Sequence, residues 1–334
     1  MQPFMTTIEE SAPSLKPASV VVIGTVALDL LNFWDESHTA SSGVRVEIGG
    51  VCKHVACVLG NLGAAPRFVT TRFPGELGGM LADRLTANQV DWQPLPIVAP
   101  FSLFQAHLDP LDHVFAESFV EGESIAALTP ESLTAHPALI DAQIIVTCTN
   151  LSVSTIDALA AIAHRQGSQL WLLVSSAADV RRVAQLAQPP DMLSLNLDEL
   201  RILTGDPGLT EVADLGRAGQ KTAAPSGHCL ITLGRRGSLL CAPDEPRALY
   251  QPVAPIQGRS PVGSGDVLFA SVLADRLRGA DWPMALAFAA ICTRRYLLRD
   301  PADPQPYRAL IDPVTPSDWL TLPAIERISL DHGR

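Results

Sequence analysis

Charge is scarce in this chain: charged residues make up only 18% of its 334 positions, against 47% hydrophobic residues. That composition argues against a disordered protein and supplies enough apolar side chains for a large core. Basic residues are the scarcer kind, with 24 Lys and Arg against 35 Asp and Glu and a formal net charge of −11. No long basic run occurs, so we expect no nucleic-acid partner.

Membrane and redox signals are also missing. No run of about 18 apolar residues occurs, so we expect no membrane span. Residues 1–17 contain Glu9 and Glu10 and lack an apolar centre, and we interpret them as a flexible leader, not a secretory signal. None of the six cysteines forms a C-x-x-C pair, which predicts buried, reduced thiols in a cytoplasmic protein.

What is present is an alternation of short apolar strands with helical patterns. It predicts an α/β fold: a doubly wound, mostly parallel sheet flanked by helices, with ligands at the carboxyl ends of the strands. Residues 31–48 and 92–120 contain strand-like stretches set apart from this rhythm and should form a small β-sheet lid. We therefore expect one α/β domain over residues 18–312 and a tail at 313–334.

Individual elements follow from the same patterns. Strands are predicted at residues 19–24, 43–48, 101–108, 113–120, 144–148, 170–174, 192–196, 228–233, 239–241 and 249–253. Helices are predicted at residues 51–62, 156–166, 178–187, 198–203, 263–277 and 282–298.

A glycine-rich stretch carries the strongest chemical signal. Gly263, Ser264 and Gly265 precede Asp266, and apolar residues at helical spacing follow. Amides on a first helical turn lack intrahelical partners and sit at the positive end of the helix dipole, so they can bind phosphate. A carboxylate beside such an anion site can accept a hydroxyl proton, which predicts phosphoryl transfer. The pattern also fits an ordinary loop with a helix cap.

Two stretches nearer the N-terminus offer further polar groups. Asp29 lies among apolar residues at or just past the end of the first strand, as either an active-site group or a structural hydrogen-bond acceptor. Gly49 and Gly50 open a helix that carries His54 in its first turn. A lone histidine is more often structural, but this one lies close to the glycine pair.

Two patterns later in the chain also follow strands. Asn196 and Glu199 fall on one face of a first helical turn, where they either organise water around magnesium or form a capping box. Thr232, Gly234 and Gly237 end another strand as either a nucleotide-side loop or a plain turn.

The order of these motifs resembles the PfkB/ribokinase family of carbohydrate and nucleoside kinases over roughly residues 19–300. The resemblance implies a β lid over an α/β sheet and transfer of the γ-phosphoryl group of ATP, with Mg²⁺, to a hydroxymethyl group of a sugar or nucleoside. It makes Asp266 the general base and the amides of Gly263, Ser264 and Gly265 the anion hole.

The resemblance also assigns the remaining motifs. The residues it implies at the substrate are Asp29, Gly49, Gly50, His54 and Asn150. Those it implies at the nucleotide are Asn196, Thr232, Gly234 and Gly237, with Glu199 serving magnesium through water.

This sequence departs from the family pattern at three places. His54 stands where members usually have asparagine, Ser260 and Pro261 replace a usual Asp-Thr, and residues 73–78 lack a usual Gly-x-Asp start. Residues 49–51, 149–151 and 174–175 look most like the pseudouridine-kinase subgroup.

Other functions compete with a kinase. The departures motivate a non-catalytic nucleotide or sugar sensor on the same scaffold, although a sensor has no need of Asp266. A dehydrogenase is disfavoured because no Gly-x-Gly-x-x-Gly follows the first strand. The open sheet of the lid can pair with a second copy, so we expect a homodimer.

Overall fold

The structure is a computed structural model that describes residues 20–110, 114–223, 227–243, 245–256, 262–300, 303 and 305–330. The predicted leader, the departure at residues 260–261 and the last four residues of the predicted tail lie outside these ranges.

The described strands and helices largely follow the predicted order. The strands are β1 (Val20–Ile23), β2 (Ala27–Trp34), β3 (Ser41–Gly49), β4 (Arg67–Val69), β5 (Asp91–Trp92), β6 (Ser102–Leu108), β7 (Val114–Val120), β8 (Ile144–Cys148), β9 (Gln169–Leu173), β10 (Met192–Asn196), β11 (His228–Thr232), β12 (Ser238–Cys241), β13 (Arg247–Gln251) and β14 (Glu326–Ser329). The α-helices are α1 (Val51–Asn61), α2 (Gly75–Ala87), α3 (Glu123–Ala127), α4 (Pro130–Thr134), α5 (Val153–Gln166), α6 (Leu197–Thr204), α7 (Val212–Ala223), α8 (Ser264–Leu277), α9 (Trp282–Leu298) and α10 (Pro316–Leu320).

A ten-stranded sheet forms the body, in the order β14-β13-β12-β11-β10-β9-β8-β1-β4-β5. The strands from β11 to β5 in that order are parallel to their neighbours. The three at the other edge pair antiparallel. This arrangement confirms the predicted mostly parallel sheet.

Both faces of the sheet are covered by helices, as a doubly wound fold requires. In β1, Val20 and Val22 belong to one hydrophobic cluster, which also contains Phe269 of α8. Val21 and Ile23 of the same strand belong to a second cluster, on the opposite face, with helices such as α5 and α7. This burial on both faces explains why the strand reads as a continuous apolar run.

A separate four-stranded sheet forms the lid, in the order β3-β2-β6-β7. The lid begins at Ala27, which is earlier in the chain than predicted. Asp29 therefore lies inside a lid strand and not at the end of the first body strand. Leu31, Ala106 and Leu108 form a small core of the lid's own.

The sequence did not predict β4, β5, α2, α3, α4, α7 or α10. Two further segments differ from the sequence-based expectation. Residues 178–187 form only a 3₁₀ turn at Val180–Gln185, where Arg182 bonds to the carbonyl of Thr149 and pairs with Asp179. The tail contains β14, which pairs antiparallel with β13 and extends the main sheet.

All six cysteines are free and buried. Across the part of the chain that the structure describes, no helix is long and apolar enough to cross a bilayer.

Candidate active site

The N-terminus of α8 is built around a left-handed glycine. Gly263 caps the helix at φ +77°, and Asp266 lies in the first turn. A Cβ at Gly263 would lie 2.8 Å from the Tyr296 hydroxyl and 3.3 Å from Nδ1 of His54, so both the backbone angle and the available space require glycine here.

Tyr296 of α9 holds the residue before this glycine, Val262. Its hydroxyl donates a hydrogen bond to the carbonyl of Val262 at 3.0 Å. Burial raises the pKa of Tyr296 to about 12, so the phenol remains a protonated donor at neutral pH. The free amides of the helix terminus are thereby held in one orientation.

Asp266 is in contact with His54. The sequence did not predict this contact. Nδ1 of His54 lies 3.4 Å from Oδ2 of Asp266, and the two side chains are 14% and 16% exposed. Burial, aided by the charge of Lys53, lowers the pKa of His54, so its imidazole is neutral at pH 7. The packing of α1 against α8 brings together two motifs that are far apart in sequence.

Asp29 lies against the glycine pair that opens α1. A Cβ at Gly49 would overlap the Asp29 carboxylate, and Gly50 has φ +105°. The pKa of Asp29 is raised to about 7, mainly because the carboxyl group is buried. The negative charges of Glu47 and Asp266 raise this pKa further, and the positive charge of Lys53 lowers it. Asp29 and Asp266 are connected through the start of α1, because Gly49 lies against Asp29 and His54 contacts Asp266.

We expect the buried Asp29 carboxyl to make stability depend on pH. Because its pKa is raised on folding, its stabilising contribution is full below the unfolded value near 4 and is lost as pH rises through about 7. The melting temperature of Asp29→Asn minus that of the parent should therefore increase from pH 5 to pH 8.

Melting curves at the two pH values, for each protein, measure this effect. Asp83→Asn, at an exposed side chain on α2, is the control and should show no such trend. A melting difference between Asp29→Asn and the parent that stays constant with pH would contradict the prediction.

Asn150 follows β8 and bridges the tips of two adjacent strands. Its Nδ2 donates to Thr25 Oγ1 at 3.0 Å, and its Oδ1 accepts from the Cys148 thiol at the same distance. Thr25 follows β1, and its carbonyl is the atom closest to a Cβ built at Gly50. Asn150 is therefore linked to the residues around the glycine pair.

Three of the four predicted nucleotide residues line a cavity of about 380 Å³, and Asn196 does not. Thr232, Gly234 and Gly237 line one side of it, and Ser264 and Gly265 line another. The loop after β11 and the start of α8 thus open onto the same space.

Most of the cavity wall was missed by sequence reasoning. The further lining residues include Val253, Ala254, Pro255, Ile256, Leu268, Ala290, Thr293, Arg294, Leu297, Thr321 and Leu322. The four from α9 recur at three- and four-residue spacing, so they share one helical face. That spacing was visible in the sequence, but nothing there showed which face meets a cavity.

Arg294 places an unsatisfied donor at this wall. Its Nη1 is buried, and no hydrogen-bond partner for it occurs in the described part of the chain. A buried guanidinium nitrogen without an acceptor is costly, so this atom indicates a missing polar partner.

Asn196 and Glu199 form the capping box that the sequence left open as an alternative. Asn196 Oδ1 accepts from the Glu199 amide at 2.9 Å, and Glu199 Oε2 accepts from the Asn196 amide at 2.7 Å. Asn196 is also paired in register with Thr232, at the edge of the cavity. Burial raises the pKa of Glu199 to about 7.

Several solved structures similar to this one are described as kinases. A ribokinase from Arabidopsis thaliana complexed with ribose and ATP matches with TM-score 0.70 and 20% identity, over 88% of this chain and 98% of that one. A carbohydrate kinase from Agrobacterium tumefaciens matches with TM-score 0.69 and 19% identity, over 92% and 99%. An adenosine kinase from Anopheles gambiae, in complex with P1,P4-di(adenosine-5) tetraphosphate, matches with TM-score 0.73 and 16% identity, over 86% and 97%.

These likenesses show a common fold. No curated protein sequence matches this chain. The family model for pfkB family carbohydrate kinases matches residues 17–294, which is most of the sequence. This chain therefore belongs to the pfkB family of carbohydrate kinases.

Proposed function

We propose that this protein is an ATP-dependent kinase that phosphorylates a hydroxymethyl group of a sugar or nucleoside. The observation that carries the proposal is the contact between Asp266 and His54 at the start of α8. The two residues just before Asp266, Ser264 and Gly265, line the cavity. The free, buried thiols support a reducing compartment such as the cytoplasm.

The chemistry follows from that placement. The acceptor hydroxyl gives its proton to Asp266 while its oxygen bonds to the γ-phosphorus, and the bond from phosphorus to the bridging oxygen of ADP breaks. Amides of Gly263, Ser264 and Gly265 stabilise the charge on the transferred group.

The residues present fit both cofactors. For ATP, the cavity beside the helix terminus offers space, and the buried Arg294 nitrogen lacks an acceptor. For magnesium, the described residues contain no cluster of three or more His, Cys, Asp or Glu side chains that could hold the ion directly. The ion would be held mainly by phosphate and water, with Glu199 acting through water. When bound, magnesium would neutralise charge on the phosphate oxygens.

The test is an acceptor screen that measures ADP release. Ribose, fructose, adenosine and pseudouridine are incubated with the protein, ATP and Mg²⁺; pseudouridine is included because of the subgroup resemblance. We expect ADP release to depend on one of these acceptors, and mass spectrometry to find a phosphoryl group on it. Binding of nucleotide or sugar without ADP release would support the sensor alternative.

Arg294→Ala is expected to weaken ATP binding. A hydrogen bond to a charged group contributes about 1.5 to 3 kcal/mol, which corresponds to roughly 10- to 150-fold in KM for ATP. The acceptor KM should change little because Arg294 lines the nucleotide cavity. Steady-state kinetics decide, with the exposed Arg165→Ala as a charge-matched control; an unchanged KM for ATP would remove Arg294 from the site.

The lid is the surface on which we expect a homodimer to form. Val44, Val46 and Val120 are each more than half exposed, and the strand registers place them on one face of the lid sheet. Val46→Asp should convert a dimer into a monomer in sedimentation velocity. Arg45→Ala, on the opposite face of the same strand, should not, and a monomeric parent would contradict the proposal.

A further inference from the structure

We propose that His54 is a positioning residue for Asp266, and the proposal rests on the kinase function proposed above. Nδ1 of His54 lies 3.4 Å from Oδ2 of Asp266, a separation that is long for a hydrogen bond. In the proposed role this contact shortens in the reactive complex, where Nδ1–H donates to Oδ2 and Oδ1 accepts the proton of the attacking hydroxyl.

The tautomer of His54 follows from the chemistry of its partner. An ionised carboxylate only accepts hydrogen bonds, so the nitrogen that faces it carries the proton. A neutral imidazole carries a single N–H, which therefore lies on Nδ1 and leaves Nε2 as an acceptor. Because the imidazole is neutral, its interaction with Asp266 is a directional N–H···O contact and not an ion pair.

The surroundings of the ring hold it in place for this role. The amide of His54 bonds to the Gly50 carbonyl at 2.9 Å, within the first turn of α1. The edge of the ring meets Tyr307, with ring centroids 6.2 Å apart. Gly263 leaves the space beside Nδ1 open, because a Cβ there would approach within 3.3 Å. A base held by fixed neighbours keeps its productive geometry, whereas a displacement of about 1 Å can cost 10²-fold in rate.

Histidine stands at position 54 where family members usually have asparagine. In the proposed role, this departure has a cause other than a change of substrate. The usual asparagine also carries an N–H donor, so His54→Asn should preserve the contact with Asp266. His54→Phe keeps the ring but removes the donor. The pair of variants separates the hydrogen bond from the volume of the side chain.

A double-mutant cycle tests the proposal with the acceptor that the screen identifies. In the parent, His54→Phe should lower kcat about 10- to 100-fold with little change in either KM, and His54→Asn should lower it less than about threefold. In an Asp266→Asn background, the same His54→Phe change should alter kcat less than about twofold, because His54 acts through Asp266.

Several outcomes would overturn this role. One is an equal loss of kcat on His54→Phe in the parent and in the Asp266→Asn background. Another is an effect confined to a higher KM for the acceptor, which would make His54 a substrate contact. Full activity of His54→Phe would also exclude it. If Asp266→Asn itself left turnover unchanged, the proposed function would fail instead, so the two failures are distinguishable.

A second measurement does not depend on kinase activity. Long-range ¹⁵N NMR spectra of the histidine-labelled parent report which ring nitrogen of His54 carries the proton, and His54→Asn assigns the signal. We expect Nδ1 to be protonated in the parent at neutral pH, and this preference to weaken in Asp266→Ala. A parent protonated only on Nε2 would overturn the proposal even if no acceptor is found.

Discussion

Asp266→Asn is expected to lower turnover by about 10²- to 10⁴-fold, the usual contribution of a general base. The amide keeps the size of the carboxyl group but cannot take a proton from the acceptor hydroxyl. ATP binding should be largely kept, since the cavity wall is unchanged. Rapid-quench kinetics and nucleotide titrations measure the two effects separately.

Asp275 supplies the matched control for this variant. It lies on the same helix and pairs with Arg278 near the other end. Asp275→Asn should leave turnover close to that of the parent. Near-normal turnover in Asp266→Asn would contradict the role of the base.

Gly263→Ala is expected to have the next largest effect on activity. Its left-handed backbone angle should cost about 1 to 2 kcal/mol of stability for any residue with a Cβ. The new methyl group would also lie 2.8 Å from the Tyr296 hydroxyl, so the helix terminus must shift. Because a shift of about 1 Å at a reacting centre can cost 10²-fold, we expect turnover to fall by roughly that factor.

Gly279 separates the effect of the left-handed backbone angle from the effect of displacing the helix terminus. It has φ +90° just beyond the end of α8, and a Cβ there meets nothing within 4 Å. Gly279→Ala should therefore lose a similar amount of stability in chemical denaturation but keep its turnover. If both variants lost activity equally, displacement at the anion site would not be the explanation.

Much of the body could be predicted because its signals are local. The strand before Gly24 reads as an unbroken apolar run since both of its faces are buried. The helix after Asp266 was recognised because glycines on a first turn precede a regular apolar spacing. Two helices with local signals, α2 and α7, were nevertheless missed. β14 was also missed: it has only four residues, three of them exposed, and it is fixed mainly by its pairing with β13.

The motifs of the candidate site were visible in the sequence, but their geometry was not. The motifs at Asp29, Gly50 and Asp266 were identified from the sequence, yet the contact between His54 and Asp266 depends on how α1 packs against α8. The place of Asp29 inside β2 depends likewise on where the chain leaves the body for the lid. Long-range packing of this kind leaves no periodic trace in one sequence.

The most direct test of the central claim is a crystal structure with a non-hydrolysable ATP analogue and the acceptor from the screen. We predict the terminal phosphate on the amides of Gly263, Ser264 and Gly265, and the acceptor hydroxyl within hydrogen-bond distance of Asp266. A nucleotide bound away from the start of α8, or an acceptor out of reach of Asp266, would contradict the account.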